Sequence, residues 1–257
     1  MLEMIVFFIF GLIVGSFLNV VVLRTRSGQK ISQGRSKCPK CKKIIKWHEN
    51  IPVVSFVLLR GRCAGCKKKI SWQYPLVEFS TGLLFAGTAW RFLENFSPEA
   101  ILSTLFICAW VAIAVVIVVY DMRHMEIPMI PLWIGVGITL VYQAIMILTG
   151  RENILSVAIG GVVGFLLFWA MAYFSKEKWM GMGDAYVGLF MGVTLGWTML
   201  LVGLWTAFIA GGIVAMIVLV TKMKSLKNHL PFAPFLLFGW IVALFFGEKM
   251  LAIFLGL

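Results

Sequence analysis

An all-α protein crossing a membrane about eight times is the fold class this sequence predicts, and three observations carry that expectation. The 257 residues are 61% hydrophobic and only 13% charged, which excludes an ordinary soluble domain. Apolar runs near the roughly 20 residues that a helix needs to span hydrocarbon recur along the chain. The basic residues crowd into segments between those runs, as they do in the loops of polytopic membrane proteins.

Residues 4–23 form the first expected span. The run has no basic start and no small-residue cleavage site, so it reads as a retained helix instead of a cleaved signal. Gly11, Gly15 and Ser16 give it a small-residue face suited to close helix packing. A long polar loop, 24–75, follows. Further spans are expected at 76–92, 100–120, 130–149, 154–174, 184–199, 200–221 and 232–256. The boundary between the sixth and seventh rests on LGWTMLLVG, a weak turn signal. The expected organisation is a first helix at 1–23, a cytoplasmic loop module at 24–75 and a membrane domain at 76–257.

Charge fixes the orientation. The net charge is +12, and 14 of the 23 Lys and Arg lie between Arg24 and Lys69. With eight spans, the loops on that side hold 20 basic residues and the opposite side holds three, Arg91, Arg151 and Lys249. The long loop is therefore expected in the cytoplasm, with both termini outside. Its charge suits anionic membrane lipid. Nucleic acid is not an expected partner, because no recognition motif accompanies the charge. Oligomeric state is not legible in the sequence.

That loop carries Cys38 and Cys41 in CPKC, then Cys63 and Cys66 in CAGC. Two Cys-x-x-Cys knuckles can complete a tetrahedral four-sulfur shell, the usual structural zinc arrangement. Disulfides or redox chemistry are the alternative, disfavoured in a reducing compartment. About fifty residues with few large apolar side chains need such a staple to fold. His48 is read as a solvated residue, since four cysteines already fill the shell. Cys108, mid-span, is read as packing.

Asp121 and Asp184 are the only aspartates in the chain, beside nine glutamates. Asp121 closes the third expected span and Asp184 opens the sixth, at the same membrane face. Alone, each could cap a helix or pair with a loop cation. Together, two carboxylates brought close share a proton, so one can activate water while the other polarises a peptide carbonyl. Gly181 and Gly183, just before Asp184, would let backbone approach a neighbour or an extended substrate closely. Glu126 is a rival carboxylate expected in solvent. His124 and His229 have no triad spacing, and no Gly-x-Ser-x-Gly is present.

Several segments then fall into a known order: GLIVGSFLNVVVLR at 11–24, the two Cys-x-x-Cys pairs, HENIPVVSFVLLRGRC at 48–63 and ISWQYPLVEFSTGLLF at 70–85. YDMRHMEIP at 120–128, GMGD at 181–184 and LPFAPFLLFG at 230–239 continue it. This series resembles the bacterial type IV prepilin peptidases over residues 11 to 240. The resemblance implies a polytopic inner-membrane aspartic peptidase. Such enzymes remove the basic leader of type IV pilins and type II secretion pseudopilins on the cytoplasmic side, after a glycine. Many then methylate the new N-terminus with S-adenosylmethionine. The resemblance makes Asp121 and Asp184 the catalytic pair and matches Cys38, Cys41, Cys63 and Cys66 to the family's metal-binding knuckles. Two positions depart from its pattern: Met129 stands where an acid or amide is common, and Tyr186 where Lys is common. No glycine-rich strand-turn-helix motif for a nucleotide-like cofactor is present, so methyl transfer is implied by resemblance alone. Asn19, Glu49 and Glu78 are read as structural. An ion or proton transporter using the two Asp is the alternative, weakened by their place at helix ends and by the lack of an inverted repeat.

Overall fold

A computed structural model describes residues 1–31, 34–93, 96–221 and 231–255. Among these, every regular element is helical: α1 (Leu2–Ser27), a 3-10 turn (Trp47–Asn50), α2 (Val54–Leu58), α3 (Gln73–Phe92), α4 (Pro98–His124), α5 (Met129–Leu148), α6 (Ile154–Ser175), α7 (Met182–Thr221) and α8 (Ala233–Leu255). Six of them, α1 and α4 to α8, are long and apolar enough to cross a membrane. The chain is a multi-pass membrane protein. His229 and most of the basic loop before α8 lie outside the described residues.

The chain divides into two compact units, 1–119 and 120–257. In the first, α1 and α3 run antiparallel in close contact. The small residues explain the closeness. A Cβ on Gly11 would lie 2.7 Å from the Thr81 carbonyl oxygen, and one on Gly15 would lie 2.8 Å from Glu78 Cα. Only glycine permits this approach, and close backbone packing is what drives helix association where no hydrophobic force remains. Helix α1 stops at Gly28, which takes the left-handed conformation (φ 65°) and returns its N–H to the Arg24 carbonyl. The expected span at 76–92 is the helix α3. It begins among polar residues, Gln73 and Glu78, and is not one of the six most apolar helices.

The second unit settles the weak turn. Helix α7 is 40 residues long and broken at Gly196, whose backbone (φ 69°, ψ 172°) is not helical. Its neighbours on α6 show that the chain reverses there. Gly160 faces Gly192 and the Gly196–Trp197 peptide. Gly164 faces both Gly188 and the Leu200 side chain. Phe168 faces Gly188 and, at 6.2 Å between centroids, the Phe208 ring. Positions before and after Gly196 meet the same α6 residues in opposite order, so 182–195 and 197–221 are two antiparallel helices, as expected for separate sixth and seventh spans. Gly203 and Gly239 bring the second of these against α8. Two side-chain bonds reach the first from outside: Gln143 Nε2 of α5 donates to the Val193 carbonyl (2.7 Å), and Trp240 Nε1 of α8 donates to Thr194 Oγ1 (2.7 Å).

Candidate functional site

Both aspartates belong to the second unit and both are buried, Asp121 at 5% and Asp184 at 7% exposure. Asp121 occupies the last turn of α4, and Asp184 the first turn of α7. Separate backbone amides hold them. The Ala233 N–H, at the start of α8, faces the Asp121 carboxylate, and the Gly181 N–H faces that of Asp184. The two carboxylates lie within electrostatic reach of each other. Asp121 Oδ2 is buried with no hydrogen-bond partner among the described residues. An acidic oxygen left open in this way costs free energy unless something binds there.

The two glycines before Asp184 differ. A Cβ on Gly183 would come 2.6 Å from Ile127 Cγ1 and 3.0 Å from Ile127 Cβ, so the GMGD segment is pressed directly onto EIP. A Cβ on Gly181 would meet nothing nearer than 3.9 Å. Gly183 supplies the close approach, while Gly181 contributes its amide. Met129 opens α5, and the Tyr186 ring packs on Trp133 and Phe165, each at 5.6 Å. Glu126 is exposed, as expected. The Ala233 amide is a contributor that sequence reasoning missed. Backbone donors carry no residue signature; the Pro residues around it, in PFAP, were the only signal of a special turn.

The four cysteines of the loop converge, with all Sγ atoms within 4.8 Å of one another. Cys38 to Cys66 and Cys41 to Cys63 are each 4.0 Å. A tetrahedral zinc shell with Zn–S near 2.3 Å has sulfur edges of about 3.8 Å, so the cage needs only slight contraction. The knuckles are copies. RSKCPKCKK and RGRCAGCKK recur 25 residues apart, a repeat that self-comparison of the sequence would have disclosed. Each makes the same bonds: Lys42 N–H to the Cys38 carbonyl and Lys67 N–H to the Cys63 carbonyl, both 2.9 Å. Each has a lysine in the left-handed region, Lys42 at φ 59° and Lys67 at φ 57°. N–H groups of Cys41 and Lys40 push the Cys38 thiol down, and those of Cys66 and Gly65 push Cys63 down to about 6. Cys41 moves the other way, to about 11; an N–H from Lys43 favours its thiolate, but desolvation and the crowding sulfurs outweigh that. Four sulfurs this close could hold a metal ion, and the donor set fits zinc. His48 is exposed beside Trp47, and Cys108 is buried in α4.

Asn19, Glu49 and Glu78 have structural partners. Asn19 Nδ2 donates to the Tyr74 carbonyl and Asn19 Oδ1 accepts from Gln73 Nε2, tying α1 to the start of α3. Glu49 accepts from Lys43 Nζ (2.8 Å) and the Lys46 N–H (2.9 Å). Buried Glu78 accepts the Val53 N–H at 2.7 Å and a hydrogen bond from the Ser16 hydroxyl. Val53 needs that anchor, because φ of 59° is unfavourable for a β-branched residue.

Comparison with known proteins finds two matching segments. Residues 9–92 match the profile of the bacterial peptidase A24 N-terminal domain, and residues 105–216 match that of the type IV leader peptidase family. A protein of Myxococcus xanthus is 36% identical over 225 residues, 85% of this chain and 64% of that protein. One of Stutzerimonas stutzeri is 31% identical over 280 residues, 96% and 92% of the two chains. One of Aeromonas hydrophila is 31% identical over 276 residues, 95% and 90%. All three are named prepilin leader peptidase/N-methyltransferase. No solved structure matches the chain.

Proposed function

The chain belongs to the type IV leader peptidase family, and from that premise we propose that Asp121 and Asp184 are the catalytic dyad of a membrane aspartic endopeptidase that cleaves the leader of prepilins and pseudopilins. One observation carries this reading: the only two aspartates of the chain are buried, brought within electrostatic reach by distant helix ends, and one of their oxygens has no hydrogen-bond partner among the described residues. One proton shared between the carboxylates gives each a role. The ionised one takes a proton from water as the water attacks the scissile carbonyl. The protonated one donates to the carbonyl oxygen as charge builds on it. Asp121 Oδ2, buried and without a partner among the described residues, is the oxygen left to bind that water. The Ala233 and Gly181 amides hold the dyad in place while the proton moves.

A prepilin is itself an apolar helix with a basic leader, so its scissile bond lies at the membrane face. The helix-end position of both aspartates matches that depth. The uneven charge of the loops supports an inner-membrane protein with the dyad and the four-cysteine loop on the cytoplasmic side. A helical backbone conceals its carbonyl, so the substrate unwinds locally before attack.

The Cys38, Cys41, Cys63 and Cys66 sulfurs would hold zinc as a structural crosslink of the loop. The second activity is N-methylation of the new N-terminus, with S-adenosylmethionine supplying the methyl group. It is supported by the relatives' names and the matching N-terminal domain. Among the described residues no strand-turn-helix cradle for an adenosine is present, and no residue here is assigned to that donor.

Purified protein incubated with a prepilin tests the dyad. Asp121→Asn and Asp184→Asn should each abolish cleavage while helicity and zinc content persist; leader processing by both variants would remove the assignment. Labelled S-adenosylmethionine in the same incubation reads methylation separately.

A further inference from the structure

In the first unit, a cleft of about 310 Å³ opens where the C-terminal half of α1 meets the loop. We propose that it is a binding site for one anionic phospholipid, with an acyl chain along α1 and the phosphate at its polar end.

Depth is the first argument. The α1 wall runs from Ile13 through Phe17 and Val20 to Arg24. Eleven residues at 1.5 Å rise is about 16 Å. Half of a 30 Å hydrocarbon core is about 15 Å, so with Arg24 at the interface the cleft extends down one leaflet to the bilayer centre. Ile13 and Phe17 are 56% and 52% exposed, an apolar floor that a water-soluble ligand has no reason to enter. A lipid chain already occupies that depth.

Chemistry at the upper end is the second. Ser36 and Asn50 line the polar end with donors suited to phosphate oxygens, and the Arg24 guanidinium, engaged with backbone carbonyls, adds its positive charge there. Residues 24–75 contain 14 Lys and Arg but one acidic residue, Glu49, already engaged by Lys43 at 2.8 Å. Exposed Lys30, Arg35 and Lys37 are sequence neighbours of the lining residues Ile31, Gly34 and Ser36. Nothing on this loop offsets their charge, so an anion is the complementary ligand.

Rigidity is the third. Arg24 Nη1 donates to the Lys30 and Ile31 carbonyls and Nη2 to that of Gly34, tying those three residues to the end of α1. Glu78 holds Val53, next to the lining residue Pro52, and takes a bond from Ser16, which also lines the cleft. The cleft is built before any ligand arrives, which lowers the ordering cost of binding.

Native mass spectrometry of the detergent-purified protein, titrated with phosphatidylglycerol or with phosphatidylcholine of identical chains, tests the site. The wild type should retain one phosphatidylglycerol at ratios where phosphatidylcholine dissociates. Ser36→Asp with Asn50→Asp should weaken that retention at least about tenfold by setting two negative charges at the phosphate. Val20→Trp should weaken it without changing charge, by filling the chain's path. Zinc content and prepilin cleavage, measured on the same samples, should be those of the wild type. Equal retention of both lipids by the wild type overturns the proposal whatever the variants do. So does wild-type retention by the doubly acidic variant. Displacement of phosphatidylglycerol by glycerol phosphate would make the ligand a free phosphate, and displacement by a prepilin transmembrane peptide would make it substrate; each overturns the lipid assignment.

Discussion

Replacing Gly183 with alanine should cripple cleavage without touching a reacting group. The added Cβ would lie 2.6 Å from Ile127 Cγ1 and 3.0 Å from Ile127 Cβ. Carbon atoms rest at about 3.5–4.0 Å, so relief needs a shift of roughly 1 Å. Rotating Ile127 does not provide it. Its side chain is β-branched and stiff at χ1, the 3.0 Å contact is with Cβ itself, and Pro128 restrains the backbone that follows. The shift therefore falls on the GMGD segment, which carries Asp184 one residue later. A displacement of about 1 Å at a catalytic centre costs on the order of 10²-fold. That predicts a drop of about 100-fold in kcat/KM, or about 2.7 kcal/mol of transition-state stabilisation, mostly in kcat. The assay is prepilin cleavage by purified protein with a thermal melt beside it. Gly181→Ala is the control, since its Cβ meets nothing nearer than 3.9 Å and its amide remains. Adding Ile127→Ala to Gly183→Ala removes the 2.6 Å contact but keeps the 3.0 Å one, so activity should recover in part. A folded Gly183→Ala protein that cleaves as fast as wild type would refute the reasoning.

Three further outcomes can be checked. Gly196→Ala forces a side chain into a backbone region reserved for glycine and places its Cβ 2.7 Å from Ser156 Oγ, so Tm should fall by an amount reflecting at least about 1–3 kcal/mol. Trp240→Phe leaves Thr194 Oγ1 without its buried indole donor, and chemical or thermal unfolding should register about 1–2 kcal/mol. Cys63→Ser removes one of four sulfur ligands; elemental analysis should find zinc well below one per chain and limited proteolysis should nick the loop faster, whereas unchanged zinc would exclude the four-sulfur site.

Much of the architecture could be read directly from residue order. The apolar runs become helices within a few residues of their expected limits, because hydrocarbon demands internally bonded backbone and imposes a fixed length. The cysteine spacing announced its cluster for a similar reason: a tight turn places two thiols on one ion. Gly11 and Gly15 were legible as packing positions and are so used. The turn at Gly196 was faint, since one glycine among apolar residues looks the same whether it packs, kinks or reverses a helix. Its reversal is visible only because α6 meets both halves in opposite order. The 25-residue repeat of the knuckles is written in the sequence itself, in RSKCPKCKK and RGRCAGCKK.

What residue order by itself determined is the chemistry available: two aspartates, four cysteines, a basic loop and enough apolar length to cross a membrane. Composition fixes such inventories because solvent transfer acts residue by residue. Tertiary structure decided what those groups meet: that Gly183 and not Gly181 bears the close contact, that the Ala233 amide faces Asp121, and that Asp121 Oδ2 is buried without a partner among the described residues. These depend on the meeting of helix ends more than 45 residues apart, and no local pattern encodes a distance across the fold.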